Sequence, residues 1–133
     1  MTGGTLQMAQ AAATGARSEP ALRVSLLRAE DAQPTDVLDA SGYIFATPEN
    51  LAAMSGKMKD FFDRTYYAAL DRLNGKPYAT LICAGSDGRN AAQQIERIAT
   101  GWRLRPKRIA EQDLKQCEEL GATLASGIAL GIF

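Results

Sequence analysis

Apolar residues recur with spacings of three and four in four segments of the chain, which predicts helices with one buried face. These segments are residues 5–17, 51–73, 91–102 and 114–128. Short apolar runs between them predict strands. The runs are residues 22–27, 42–46 and 78–84. Helix and strand alternate, so the sequence predicts an α/β fold with a mainly parallel sheet.

Local signals add detail to this pattern. The second helix is expected to begin near Ser55-Gly56, and Asn74-Gly75 predicts a turn after it. Val37 and Leu38 indicate a short helix or turn. Residues 22–27 alternate apolar and polar positions as an edge strand does, whereas residues 42–46 suit a strand buried on both faces. The small residues of the first helix indicate close packing on something flat, for which a sheet is suitable.

The composition excludes several classes of site. Fifteen basic and fifteen acidic residues cancel, so we expect neither nucleic acid nor an anionic membrane as a partner. The chain has no histidine, which excludes Ser-His-Asp and Cys-His catalysis within it. Cys83 and Cys117 are too few and too scattered for a zinc site or a disulfide framework, so we expect two buried thiols and no metal.

The two ends of the sequence carry no targeting signal that we can identify. The N-terminus lacks the charged start and long apolar stretch of a secretory signal. The apolar C-terminal segment GATLASGIALGIF is shorter than the ~20 residues that cross a bilayer. We therefore expect residues 1–133 to form a single cytoplasmic domain.

Three loops rich in Gly, Ser, Thr or Asn are predicted to lie at the carboxyl edge of the sheet, where such folds bind ligands. They are Thr2-Gly3-Gly4-Thr5, Thr47-Pro48-Glu49-Asn50 and Ala84-Gly85-Ser86-Asp87-Gly88. The first opens a helix, so its amides and hydroxyls could hold a phosphate without a basic side chain. Each loop alone could equally be a cap, a flexible end or an ordinary turn. Their joint occurrence favours a binding site.

The loop at Thr47 follows a predicted strand, and Pro48 restricts the backbone there. We expect this loop to stand rigidly off the sheet edge and to expose its amides, one carboxylate and one carboxamide. On this interpretation Glu49 and Asn50 face a ligand and do not form a structural cap.

The three loops together resemble those of the flavodoxin-like family that includes the NAD(P)H-dependent FMN and quinone reductases. The resemblance lies in TGGT, in TPENLAAMSGKMKDFFDR and in LICAGSDGRNA. It implies a three-layer α/β/α sandwich with a parallel sheet. It further implies that Thr2, Gly3, Gly4, Thr5 and Leu6 hold the FMN phosphate, that Thr47, Pro48, Glu49, Asn50 and Leu51 line the flavin ring, and that residues 84–88 contact its far edge.

The chain departs from this family in two places. Family members have an apolar strand before the phosphate loop and a fifth strand after the fourth helix, whereas here Met1 precedes Thr2 and GWRLR runs directly into PKRIAEQ. We therefore expect the first and fifth strands to be missing and Arg105 and Pro106 not to be neighbours in an intact fold. Since the first strand is central in that family, its loss should split the sheet.

Three functions remain open from the sequence. The first is an FMN-containing oxidoreductase that passes electrons from NADH or NADPH to a quinone or similar small acceptor. The second is an FMN-binding electron carrier with protein partners, which the neutral charge disfavours. The third is a flavin-free α/β interaction domain. The resemblance also implies that a homodimer is possible. An aromatic cluster in the second helix could form its contact surface or could simply pack in the core; its members are Phe61, Phe62, Tyr66 and Tyr67.

Overall fold

Helices and strands alternate along the chain as the apolar pattern predicts. A computed structural model describes residues 3–50, 53–83, 89–107 and 114–133. The helices in these ranges are α1 (Gly3–Ala16), α2 (Pro34–Asp39), α3 (Gly56–Ala69), α4 (Arg89–Gly101) and α5 (Leu114–Ala129). The strands are β1 (Tyr43–Asn50), β2 (Ala53–Met54), β3 (Pro77–Cys83) and β4 (Arg105–Pro106).

The strands form one mixed sheet in the order β2-β1-β3-β4. The long central pair is parallel, with Tyr43 opposite Tyr78 and Pro48 opposite Cys83. β4 adds to β3 in parallel, whereas β2 folds back antiparallel on the end of β1. Because the long strands are parallel, their carboxyl ends share one edge of the sheet.

Helices cover both faces of the sheet, which confirms the flavodoxin-like three-layer sandwich. On one face, α3 and α4 pack on alternate strand residues. The buried side chains there include Phe45, Tyr78, Phe61, Phe62, Ile95 and Trp102. On the other face, α1 and α5 form a second cluster. It contains Ala12, Ala79, Leu81, Cys117 and Leu120.

Buried polar groups in the larger cluster are paired. The Tyr43 hydroxyl donates to the Val37 carbonyl, and burial raises the pKa of this phenol. The Trp102 indole N–H donates to the Tyr66 carbonyl at 3.1 Å. These pairings offset the cost of removing the polar atoms from water.

The turn predicted at Asn74-Gly75 is confirmed. Gly75 has a φ of +84°, a conformation that is strained for residues with a side chain. Its N–H donates to the Arg103 carbonyl at 2.7 Å, which joins the turn before β3 to the segment before β4.

The small residues of α1 serve chiefly to bring it close to another helix, α5. A Cβ atom on Gly15 would overlap the Glu118 carbonyl, and one on Gly121 would overlap the Ala12 carbonyl. As expected, α1 also packs on the sheet, where it contacts β3 and β1 and buries Ala12 with Ala79 and Leu81. Small side chains permit the same close approach to a helix groove as to a sheet.

The strand predicted at residues 22–27 is wrong. Residues 23–28 carry no strand or helix, and the side chains of Leu26 and Leu27 are exposed. Alternation of apolar and polar residues gives a segment the right pattern for an edge strand. It does not supply the neighbouring strand whose backbone must form the hydrogen bonds.

The expectations of a missing fifth strand, of a break between Arg105 and Pro106 and of a split sheet are wrong, whereas that of a missing first strand agrees with the described residues. Arg105 and Pro106 themselves form β4, which occupies the place of a strand between α4 and α5. No described strand precedes β1 in the chain, yet the sheet is not split. In the order expected for this fold, the strands corresponding to β1, β3 and β4 are consecutive on one side of the first strand, so they pair without it.

None of the helices in the described ranges is long and apolar enough to cross a membrane.

Candidate functional site

The start of α1 and the carboxyl ends of β1 and β3 meet at one edge of the sheet. A Cβ atom on Gly4 would lie 2.8 Å from the Cys83 sulfur. Cys83 is the last residue of β3 and lies opposite Pro48 of β1. The structure thus brings the first predicted loop, the Thr47–Asn50 segment and the end of β3 together, as the parallel sheet requires.

The start of α1 has the properties of an anion site. The hydroxyl oxygen of Thr5 is buried and has no hydrogen-bond partner among the described residues. The first turn carries no acidic residue, so the amides at its positive end have no carboxylate from the helix itself. A buried hydroxyl without a partner is costly unless a ligand supplies one. Leu6, by contrast, is 49% exposed.

Gly4 has a packing role that the sequence did not reveal. Since any side chain there meets the Cys83 sulfur, Gly4→Val should disturb the protein as well as any ligand. The expectation of two buried thiols holds for Cys117, whereas Cys83 is only partly buried.

The Thr47–Asn50 segment is part of β1 and does not form a loop that stands off the sheet. Its end pairs with β2, with Glu49 opposite Met54. Pro48 is tolerated because β1 has a long neighbour on one side only, so its missing N–H need not break the ladder. The expectation of an exposed loop is wrong here, because the hairpin turns the segment back onto the sheet.

Thr47 connects this strand end to α3. Its side chain is 0% exposed, and its hydroxyl accepts a hydrogen bond from the Ser55 N–H at 3.0 Å and donates to the Pro48 carbonyl at 3.0 Å. Ser55 in turn caps α3 by accepting from the Met58 N–H at 3.1 Å. The start of α3 near Ser55-Gly56 is thus confirmed.

Thr47→Val is expected to lower the free energy of unfolding by about 1 kcal/mol, because it leaves the Ser55 N–H without its acceptor. Urea denaturation measures the change. Thr65→Val is the matched control. Thr65 is also 0% exposed, but its hydroxyl donates to the Phe61 carbonyl within the same helix. Equal losses for the two variants would contradict a special role of Thr47.

Glu49 caps the next helix. One of its carboxylate oxygens accepts a hydrogen bond from the Ala91 N–H at 3.0 Å, in the first turn of α4. That turn contains no acidic residue of its own, so Glu49 supplies the negative charge that a helix start favours. The expectation that Glu49 forms no structural cap is wrong. Its predicted contact with a ligand stays a prediction.

A second bond joins the same two elements. Gln94 in α4 accepts from the Met54 N–H of β2 at 2.9 Å. Sequence reasoning missed Gln94, the bond between Thr47 and the Ser55 N–H, and the Gly4–Cys83 contact, since these pairs are separated along the chain and have no local signal. Thr2, Leu51, residues 84–88 and the side chain of Asn50 lie outside the described residues, so their predicted contacts stay predictions.

The chain matches the model of a known protein family. A family model described as NADPH-dependent FMN reductase matches residues 34–111, which is more than half of the chain. The chain belongs to this family. The match includes β1, β3 and α4, whereas α1 lies before it. The NADPH-dependent FMN reductase assignment therefore confirms the resemblance noted from the three loops.

Two curated proteins are similar in sequence to parts of this FMN reductase family member. A flavodoxin of Aquifex aeolicus (strain VF5) is 36% identical over 65% of this chain and 47% of its own length. An NAD(P)H dehydrogenase (quinone) of Acidithiobacillus ferrooxidans (strain ATCC 53993 / BNL-5-31) is 34% identical over 44% of this chain and 40% of its own. The chain thus spans less than half the length of these curated relatives.

Solved structures show the same fold. A flavodoxin from the domain Archaea superposes with a TM-score of 0.78 at 21% identity, covering 97% of this chain and 93% of that one. A WrbA-like flavodoxin from Agrobacterium tumefaciens gives a TM-score of 0.72 at 20% identity, with 98% and 92% covered. These likenesses confirm the flavodoxin-like fold.

FMN binding is supported by the family and by the flavodoxin relative. The described residues fit its phosphate end, because the unpartnered Thr5 hydroxyl and the acid-free first turn of α1 suit a phosphate monoester. That the phosphate is held there without a lysine or arginine stays a prediction.

Proposed function

We propose that this chain holds FMN at the carboxyl edge of the sheet and passes electrons from NADH or NADPH to a quinone or similar small acceptor. The observation that carries the proposal is the buried Thr5 hydroxyl at the start of α1, which has no hydrogen-bond partner among the described residues and lies next to the converging ends of β1 and β3. An anionic ligand at this position would satisfy the hydroxyl and complement the positive end of the helix.

The chain's own residues would bind and orient the flavin. The amides of Gly3, Gly4 and Thr5 would hold the phosphate, assisted by Thr2 and the Thr5 hydroxyl. The end of β1 from Thr47 to Asn50 would flank the ring, and we propose that Leu51 and residues 84–88 do so as well. Backbone amides at such positions stabilise negative charge on a reduced flavin.

The redox chemistry belongs to bound FMN, which accepts a hydride and passes electrons on. No side-chain acid or base is assigned to the reaction. The family description supports the proposal of NAD(P)H as the donor, and the relative named NAD(P)H dehydrogenase (quinone) supports the proposal of a quinone as the acceptor.

An electron carrier is the second candidate, because the other relative is named flavodoxin. In that case FMN would bind equally well but NAD(P)H would not reduce it. We also propose a cytoplasmic location, and a homodimer in which Tyr67, which is 83% exposed, contributes to the contact. Light scattering of the purified chain would measure the oligomeric state.

Titration of the flavin-free chain with FMN, followed by flavin fluorescence, tests the binding proposal. We expect saturable quenching with one FMN per chain, followed by loss of the oxidised-flavin absorbance when NADPH or NADH is added without oxygen. Riboflavin, which lacks the phosphate, should bind more weakly.

Each outcome distinguishes between the candidates. Binding without reduction by either nucleotide would favour the electron carrier. No change in FMN fluorescence would contradict the FMN proposal and leave the flavin-free interaction domain.

A further inference from the structure

Two hydrogen bonds tie the β1–β2 hairpin to α4. The Glu49 carboxylate accepts from the Ala91 N–H at 3.0 Å, and the Gln94 side-chain oxygen accepts from the Met54 N–H at 2.9 Å. In the first bond the hairpin provides the acceptor, and in the second bond it provides the donor. A hinge motion between hairpin and helix would have to break both bonds.

The position of this pair of bonds gives it consequences for the site. The hairpin carries Thr47–Asn50, which is the described segment that would flank the flavin ring. The two bonds hold this segment against Ala91 and Gln94 of α4. Both bonds lie between the β1–β2 hairpin and α4. The start of α1, where the phosphate would bind, instead lies beside Cys83 of β3.

We propose that Glu49 and Gln94 are positioning residues that lock the hairpin to α4, so that Thr47–Asn50 keeps a fixed position beside the ring. The proposal rests on the proposed function for the identity of the ligand, but the lock itself is a property of the flavin-free chain. Because the lock acts at the ring and not at the phosphate, its loss affects FMN and riboflavin alike. A pre-organised hairpin contacts the ring without a further ordering cost.

Amide hydrogen exchange of the flavin-free chain tests the lock directly. Gln94→Ala should speed exchange at Met54, and Glu49→Ala at Ala91, each by about fivefold, as expected for one lost hydrogen bond. Glu49→Gln retains an acceptor oxygen and should restore protection at Ala91. Gln93→Ala is the matched control, since Gln93 is the exposed neighbour of Gln94 and should change neither amide.

Flavin titration tests the consequence. Gln94→Ala should weaken FMN and riboflavin by the same factor, about fivefold, whereas Gln93→Ala should leave both unchanged. A loss confined to FMN would overturn the assignment to the ring end, and unchanged exchange at Met54 and Ala91 would overturn the lock. If the parent chain binds neither flavin, the proposed function fails, and with it the role at the ring. Exchange then still decides whether the lock exists.

Discussion

Gly121→Ala is expected to lower the free energy of unfolding by about 2–3 kcal/mol, because the added methyl group has no room. A Cβ atom at this position would overlap the Ala12 carbonyl and lie 3.0 Å from the Ala12 Cα. These are backbone atoms of α1, so no side-chain rotation relieves the overlap. The helices must move apart, which opens the cluster that contains Cys117 and Leu120.

Gly56→Ala is the matched control, because the change is the same and the surroundings are empty. A Cβ on Gly56 would meet no atom within 4 Å, and Gly56 also lies in a helix. Alanine favours helix over glycine by up to about 1 kcal/mol, so this variant should be as stable as the parent or slightly more so. Urea denaturation of both variants measures the difference.

A stability for Gly121→Ala within 0.5 kcal/mol of the parent, on the scale of an ordinary surface substitution, would contradict the close packing of α1 on α5. Gly15 offers an independent check from the other helix, since its Cβ would overlap the Glu118 carbonyl. Comparable losses at Gly15 and Gly121 are expected, because both substitutions separate the same two helices.

The order of the elements could be predicted from the sequence because each helix and long strand has a strong local pattern. The spacing of Phe61, Phe62 and Thr65 marks the buried face of α3, and all three are buried in the structure. Ser55 and Gly75 mark a helix start and a turn by their own chemistry. Such signals need no knowledge of distant residues.

The predictions that failed depended on partners distant in sequence. Residues 22–27 have the pattern of a strand but no described neighbour to pair with. Thr47–Asn50 was predicted to be a loop because Thr-Pro usually ends a strand, yet pairing with β3 and β2 extends β1 through it. The two-residue β4 is too short to produce a pattern.

The candidate site could likewise be predicted only in part from the sequence. Its place at the carboxyl edge followed from the α/β pattern alone, since parallel strands end together. The cap on α4 by Glu49 joins residues 42 positions apart, and the Gly4–Cys83 approach joins α1 to the end of β3. Neither pairing produces a signal in the neighbouring residues. The local sequence around Glu49 therefore does not distinguish an exposed loop from a strand end that caps a helix.

Thr5→Val is expected to weaken FMN binding by roughly 10- to 100-fold while leaving the stability of the flavin-free chain unchanged or slightly higher. The substitution conserves shape and removes a buried hydroxyl that has no partner among the described residues, so the free chain loses no known hydrogen bond. The bound phosphate would lose a hydrogen bond to a charged group, which is worth about 1.5–3 kcal/mol. Fluorescence titration with FMN and with riboflavin measures the effect, and riboflavin should bind as it does to the parent.

Thr14→Val is the control for this last experiment. Thr14 lies in the same helix, but its hydroxyl is near the other end and donates to the Gln10 carbonyl at 3.0 Å, so FMN affinity should not change. A loss of FMN affinity for Thr5→Val with riboflavin unaffected assigns the Thr5 hydroxyl to the phosphate. Equal losses for the two flavins would instead mean that Thr5 acts through the fold or the ring. An unchanged FMN affinity would contradict the contact between the Thr5 hydroxyl and the phosphate, which is the observation that carries the proposed function.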